Sequence, residues 1–177
     1  MSRNGRFRAY GALMTVVALT VAGCVTDQAP QTAADFRKTV SSAAMGQVIT
    51  FEVARPVRDI GRTFQAKAPE CLGVAVKMSD RSPAMPYSVT ASYKPTVVVG
   101  DTKAELRVQR KFSGAVYNPY AEPEGGSYFL TAEATAIGPT RSKIDIYGTK
   151  VGADELIRAV TGWANGQNLG CPDMTKT

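Results

Sequence analysis

Arg3, Arg6 and Arg8 precede an uncharged stretch from Ala9 to Thr26, whose apolar centre, Gly11 to Ala22, is bounded by small residues. A positive n-region, a short apolar core and a small-residue cleavage site make up the plan of an export signal. No other feature constrains the fold as much, because it sets where the packed chain can begin and in which redox compartment it folds. The stretch is about 18 residues long, near the lower limit for a spanning helix. Thr15, Thr20 and the closing Ala22-Gly23 suit cleavage better than a membrane span. A folded domain is therefore expected only after Cys24.

Val21-Ala22-Gly23-Cys24 resembles the lipobox of bacterial lipoproteins. The resemblance implies that Gly23 is the last residue removed and that Cys24 becomes the diacylglycerol-bearing first residue of the mature chain. An export signal cut elsewhere, with Cys24 incidental, is the other reading. By the same resemblance, Val25 rather than Asp after the cysteine favours the outer membrane, with the protein facing the periplasm. The membrane is then a partner through the lipid, and no other cofactor is called for.

The formal charge of +6 is partly a property of the signal. Without Arg3, Arg6 and Arg8, 18 basic residues face 15 acidic ones, a net charge near +3. A surplus that small, spread along about 150 residues, does not make the concentrated basic face that nucleic acid requires. Two cysteines remain, Cys71 and Cys171, and in an exported chain an even pair predicts a disulfide. It would close a loop of about 100 residues, for which chain entropy gives on the order of 4.7 kcal/mol. The chain has no His and too few Cys to close a zinc site, so no metal is expected.

Val25 to Ala34 is small and polar and reads as a tether. Thr32-Ala-Ala-Asp35 has the form of a capping box, with Phe36, Val40 and Ala44 on one face of a short helix ahead of Gly46. Gln47 to Ala54 alternates as a half-buried strand. Pro56 suits the first turn of a helix that Pro69 should end, which leaves Cys71 just beyond it. Five extended runs follow: Val74 to Met78, Tyr87 to Tyr93, Thr96 to Val99 beyond Pro95, Ala104 to Val108, and Tyr128 to Ala136. Ile144 and Ile146 open the last strand. Strands at this spacing, without helices between them, pair antiparallel. Leu156, Ile157, Val160, Trp163 and Ala164 form the strongest helical stripe, opened by Asp154 and Glu155 and closed by Gly166. The alanines 132, 134 and 136 should let that helix approach closely.

The expected class is α+β: a curved antiparallel sheet packed on a C-terminal helix. In order of elements, Gln47 to Cys171 resembles the helix-grip domains of small lipoproteins in the outer-membrane barrel-assembly machine. That resemblance implies a docking module rather than an enzyme. The organisation expected is a signal peptide at 1–23, a lipidated tether with a short helix at 24–46, one α+β domain at 47–171, and a tail at 172–177.

Functionally, the chain reads as a non-catalytic lipoprotein of the cell envelope that docks at the membrane surface to an envelope protein. The alternatives are a periplasmic carrier of an apolar ligand and a cell-wall hydrolase. Without His, Ser–His and Cys–His nucleophile systems cannot be built. Glu122 and Glu124 share the Pro/Gly loop and are the carboxylate pair a hydrolase could use, but neighbours in such a loop are more often solvated than catalytic. Tyr117, Tyr120 and Tyr128 form a candidate contact surface, or else pack along their own loop. Lys103, Arg107, Arg110 and Lys111 are candidates for anionic lipid, or charges that guard a strand. Replacing the anchoring thiol tests the start of the chain: Cys24→Ser should leave an uncleaved precursor without lipid label. Incorporation of labelled palmitate by that variant would contradict the reading.

Overall fold

Period-two alternation of apolar and polar residues turns six segments of the chain into strands that bury one face each. The structure is a computed structural model that describes residues 28–80, 87–114 and 122–177. Its elements run α1 (Ala33–Ser42), β1 (Gly46–Val53), α2 (Val57–Leu72), β2 (Ala75–Asp80), β3 (Tyr87–Val99), β4 (Lys103–Gly114), β5 (Ser127–Gly138), β6 (Arg141–Thr149) and α3 (Asp154–Ala164), with a closing 3₁₀ turn at Met174–Lys176. The six strands form one antiparallel sheet in the order β1-β6-β5-β4-β3-β2. β1 and β2 are its two edges, and α2 is the crossover between them.

The inner face carries the core. Ile144 and Ile146 of β6, Ala132 and Ala134 of β5, and Leu106 and Val108 of β4 are wholly buried there. α2 packs over β3, β4 and β5, whereas α3 packs against α2 and β6. The helix over the alanine row is thus α2, not the C-terminal helix that the row was expected to receive. Gly61 is the reason α2 can come so close. A Cβ there would lie 2.7 Å from both Cγ atoms of Val99 and 3.3 Å from Cβ of Ala104. α3 instead lays Leu156, Val160 and Trp163 into the same core, all fully buried.

Two proline expectations need correction. Pro95 does not interrupt β3, which runs unbroken from Tyr87 to Val99. Tyr93 donates its N–H to Val74 O at 2.8 Å, so odd-numbered residues of β3 point their N–H groups to the β2 side. β2 pairs only as far as Ser92, so the missing N–H of Pro95 falls where no partner strand exists. Pro69 does not end α2, which continues to Leu72. It stands in the last turn, on a face where Gln65, Ala66 and Glu70 are exposed, so water can satisfy the carbonyl it leaves free. Burial of Cys71 and Leu72 holds that turn in place.

Cys71 therefore lies within the last turn of α2, and its Cα is 4.8 Å from that of Cys171, at disulfide distance. The pair ties the end of α2 to the segment after α3, across a sequence separation of 100. At the same end of α3, Arg55 donates from Nη1 to the carbonyls of Trp163 (2.8 Å) and Ala164 (2.9 Å), and from Nη2 to Thr63 Oγ1 (3.1 Å). A cation on these terminal carbonyls satisfies groups the helix cannot pair itself. Gly166, at φ +80°, supplies the left-handed turn that ends the helix beside Arg55.

The N-cap half of the box is formed, Asp35 N–H donating to Thr32 Oγ1 at 3.1 Å, and the Asp35 carboxylate accepts from the Thr32 hydroxyl at 2.7 Å. Ala33, Phe36 and Val40 of α1 are buried, because the helix docks on the outer face of β1, β5 and β6. The segment after α3 is also packed, with Met174 buried and Thr177 Oγ1 within 2.7 Å of the Tyr93 hydroxyl. Removing the cross-link with Cys71→Ala and Cys171→Ala should cost about 2–5 kcal/mol, read from denaturant midpoints under oxidising conditions. Superimposable unfolding curves would contradict this.

Candidate functional site

The outer face is where the chain places its charge. In antiparallel register, Thr50, Asp145, Glu133, Glu105 and Val98 lie side by side across five strands. Three carboxylates are therefore directly opposed on β6, β5 and β4. Like charges so placed repel, and four cations answer them. Arg37 of α1 reaches Glu105 at 2.5 Å and Glu133 at 3.0 Å. Lys103 reaches Glu133 at 2.5 Å, Lys143 reaches Asp145 at 2.8 Å, and Arg107 pairs with Glu105. Thr50 Oγ1 donates to Asp145 at 2.7 Å. Glu133 Oε1 makes ion pairs without a formed hydrogen bond, and the opposed Arg107 Nε and Thr131 Oγ1 are buried without partners. The polar layer beneath α1 is thus only partly satisfied.

These contacts shift the protonation equilibria. Burial raises the Glu105 pKa, but the hydrogen bonds and charges of Arg107 and Arg37 outweigh it and hold the carboxyl below its usual 4.5. The Lys143 ammonium is held above its usual value by its bond to Asp145. The Tyr147 hydroxyl is pushed up by burial first, then by Asp145 and Glu133. Among the described residues, no group of three or more His, Cys, Asp or Glu is placed to hold a metal ion.

The sequence-predicted positions are scattered. Cys24, Tyr117 and Tyr120 lie outside the described residues. Tyr128 stacks against Phe36 of α1, with ring centroids 6.1 Å apart, so it helps to seat that helix. Glu122 accepts from Ser127 Oγ at 3.1 Å, and Glu124 is exposed in the loop before β5. The four cations read as one patch divide three ways. Lys103 and Arg107 are used within the carboxylate row, Lys111 is exposed on the outer face, and Arg110 points to the inner face.

Sequence reasoning did not single out Lys77, Lys94 or Arg37. Lys77 and Lys94 are the polar members of alternating strands, but their alignment with Lys111 depends on the β2–β3–β4 register. All three lysines are exposed on the outer face and have no ion pair among the described residues. Their described neighbours on that face of β2 and β3 are Ala75, Ser88, Thr90, Ser92 and Thr96, with no carboxylate among them. The outer face is therefore divided into a neutralised acidic row beneath α1 and a free basic area over β2, β3 and the adjoining part of β4.

No protein-family model matches the chain, and no curated protein matches it in sequence. Among solved structures, it is similar to a START superfamily protein from Mycobacterium smegmatis, with 10% identity over 68% of this chain and 94% of that one and a TM-score of 0.34. An HSP90 activator from Plasmodium falciparum matches at 13% identity over 68% and 88%, with a TM-score of 0.24. A protein from Rhizobium leguminosarum matches at 13% over 67% and 88%, also at 0.24. The fold assignment rests on the strand order and helix placement described above.

The lowered Glu105 pKa fixes a sign. Its ionised form stabilises the fold fully above the usual value of 4.5, and that stabilisation is lost as pH falls through the lower folded value. Glu105→Gln should therefore show a shallower loss of stability on acidification than the unsubstituted chain, read from denaturant midpoints taken stepwise below neutrality. Parallel curves for the two proteins would contradict the assignment.

Proposed function

We propose that this chain is a non-catalytic lipoprotein of the bacterial cell envelope that docks, through the outer face of β2, β3 and β4, onto an acidic surface of another envelope protein. The observation that carries the reading is the basic area of Lys77, Lys94 and Lys111, which have no ion pair among the described residues and are set in hydroxyl-bearing residues of β2 and β3 among which no described carboxylate stands. Elsewhere on the outer face, Lys103, Arg107, Lys143 and Arg37 are already committed to acidic partners. Complementary charge steers encounter and orients a partner more than it adds affinity. The structure shortens the expected tether at its far end, since Thr32 caps α1 and Ala33 is buried in it. On the proposed tether from Val25 to Gln31, modest affinity suffices, because anchoring to the same membrane raises the effective concentration.

Carriage of an apolar ligand would need room beneath the helices. Trp163, Phe64, Ile60 and Leu156 fill that region with fully buried side chains, which supports docking over carriage. The cavities described lie elsewhere. One, about 700 Å³, is an open groove beside Arg58, Arg62 and Asp101, and its arginines are paired with Asp101 and Asp59.

Combining Lys77→Glu, Lys94→Glu and Lys111→Glu on the lipidated chain should weaken in-membrane cross-linking to its partner about tenfold, taking roughly 0.5 kcal/mol per exposed ion pair lost. Cross-linking of the same stoichiometric protein at an unchanged level would sink the proposal. So would equal retention of both chains' soluble portions by protein-free anionic vesicles, or retention of the unsubstituted one alone, which would assign the patch to lipid.

A further inference from the structure

On the inner face, past α2 and beside the closing 3₁₀ turn that packs on β2, one cation has no ion pair among the described residues. Arg110 of β4 sits opposite Tyr93 of β3, and its guanidinium carbon lies 4.1 Å from the ring centroid of Phe129 and 4.8 Å from that of Phe112. Phe129 is brought there by a register shift between Val108 and Gln109, where β5 inserts one extra residue. The rings favour the cation electrostatically and fix its plane. They give nothing to its N–H groups, which point along the edge of the guanidinium and can grip a carboxylate or phosphate with two parallel bonds. Arg110 makes no hydrogen bond or ion pair with any described residue, although it is half-buried. Its nitrogens are not among the buried unpartnered atoms, so water reaches them, and an arriving anion replaces that water with charge-assisted hydrogen bonds.

The surroundings specify what carries the anion. β2 leads away from the C-terminal end of α2, so Val76 and Met78 extend the inner face past the helix. Val76 registers with Ala91, and Ala91 with Phe112, which gives an apolar floor beside Arg110. Val76, Met78 and Phe112 are packed against the core yet remain partly exposed. We propose that Arg110 and this floor form a site for an anionic amphiphile: a carboxylate or phosphate head on the guanidinium, with an acyl chain along Phe112, Val76 and Met78. This site goes beyond the docking reading, since it uses the opposite face of the sheet and none of the three lysines.

The test is photo-cross-linking of the full lipidated chain in membranes, using a diazirine-bearing palmitate, its methyl ester, and a diazirine-bearing phosphatidic acid. Labelled peptides are mapped by mass spectrometry. A charged probe should label the peptides carrying Met78 and Phe112 at least tenfold more than the methyl ester does, the ratio expected for a charge-assisted hydrogen bond. Arg110→Leu should abolish the difference, and Arg110→Lys should retain part of it. Buried Trp163 emission serves as the check that each variant is folded. Preference for palmitate assigns a free fatty acid, and preference for phosphatidic acid assigns a bilayer lipid headgroup. Equal labelling by acid and ester, unchanged labelling in a folded Arg110→Leu, or no labelling of these peptides by either charged probe overturns the site.

Discussion

Two helices are held on the inner face of the sheet by a core with Trp163 at its centre, and the rest of the molecule is arranged around that contact. Burying an aromatic side chain of this size removes about 150–250 Å² from water, and Trp163 is buried completely. Gly61 lets α2 close on β3 and β4, Arg55 satisfies the last carbonyls of α3, and the Cys71–Cys171 pair ties the end of α2 to the segment after α3. Each of these restrains a helix that the core alone would only attract. Because the inner face is committed in this way, the described side chains left to meet another molecule include those on the outer face and those past α2 on the inner face.

The outer face follows a different rule. Three opposed carboxylates would repel, so Lys103, Arg107, Lys143 and Arg37 are drawn onto them, and Arg37 brings α1 with it. Phe36 against Tyr128 adds an aromatic contact to the same docking. The first helix is therefore part of the packed molecule. It also leads directly from the segment proposed to tether the chain, so a pull on that segment would be felt at the acidic row. Among the described residues on that face of β2 and β3 no carboxylate answers the lysines, and there the face remains basic.

Much of the fold could be read from the sequence, because its signals are local. The alternation in β1, β5 and β6, the capping box before α1, the stripe of α3 and the glycine that ends it all depend on residues within a turn or two of each other. The two proline errors share one cause. Whether Pro95 or Pro69 breaks an element depends on what lies beside it in space, an absent strand in one case and a solvated helix face in the other. Assigning the alanine row to the wrong helix is a similar failure, since small residues announce a close approach without naming the partner. The candidate site was less legible still. Lys77, Lys94 and Lys111 come together only through strand register, and the inserted Phe129 beside Arg110 depends on a bulge. In the sequence, Arg110 was indistinguishable from Arg107, although the two point to opposite faces.

The central claim is that the interior is committed to packing, which leaves the surfaces for recognition. Trp163 is the chain's single tryptophan, so its emission reports that interior directly. The account predicts blue-shifted emission, poorly quenched by acrylamide, that does not move when neutral apolar compounds are added up to their solubility limits. A saturable shift or quench of Trp163 by such a compound would mean that a ligand enters beneath the helices, and it would contradict the account.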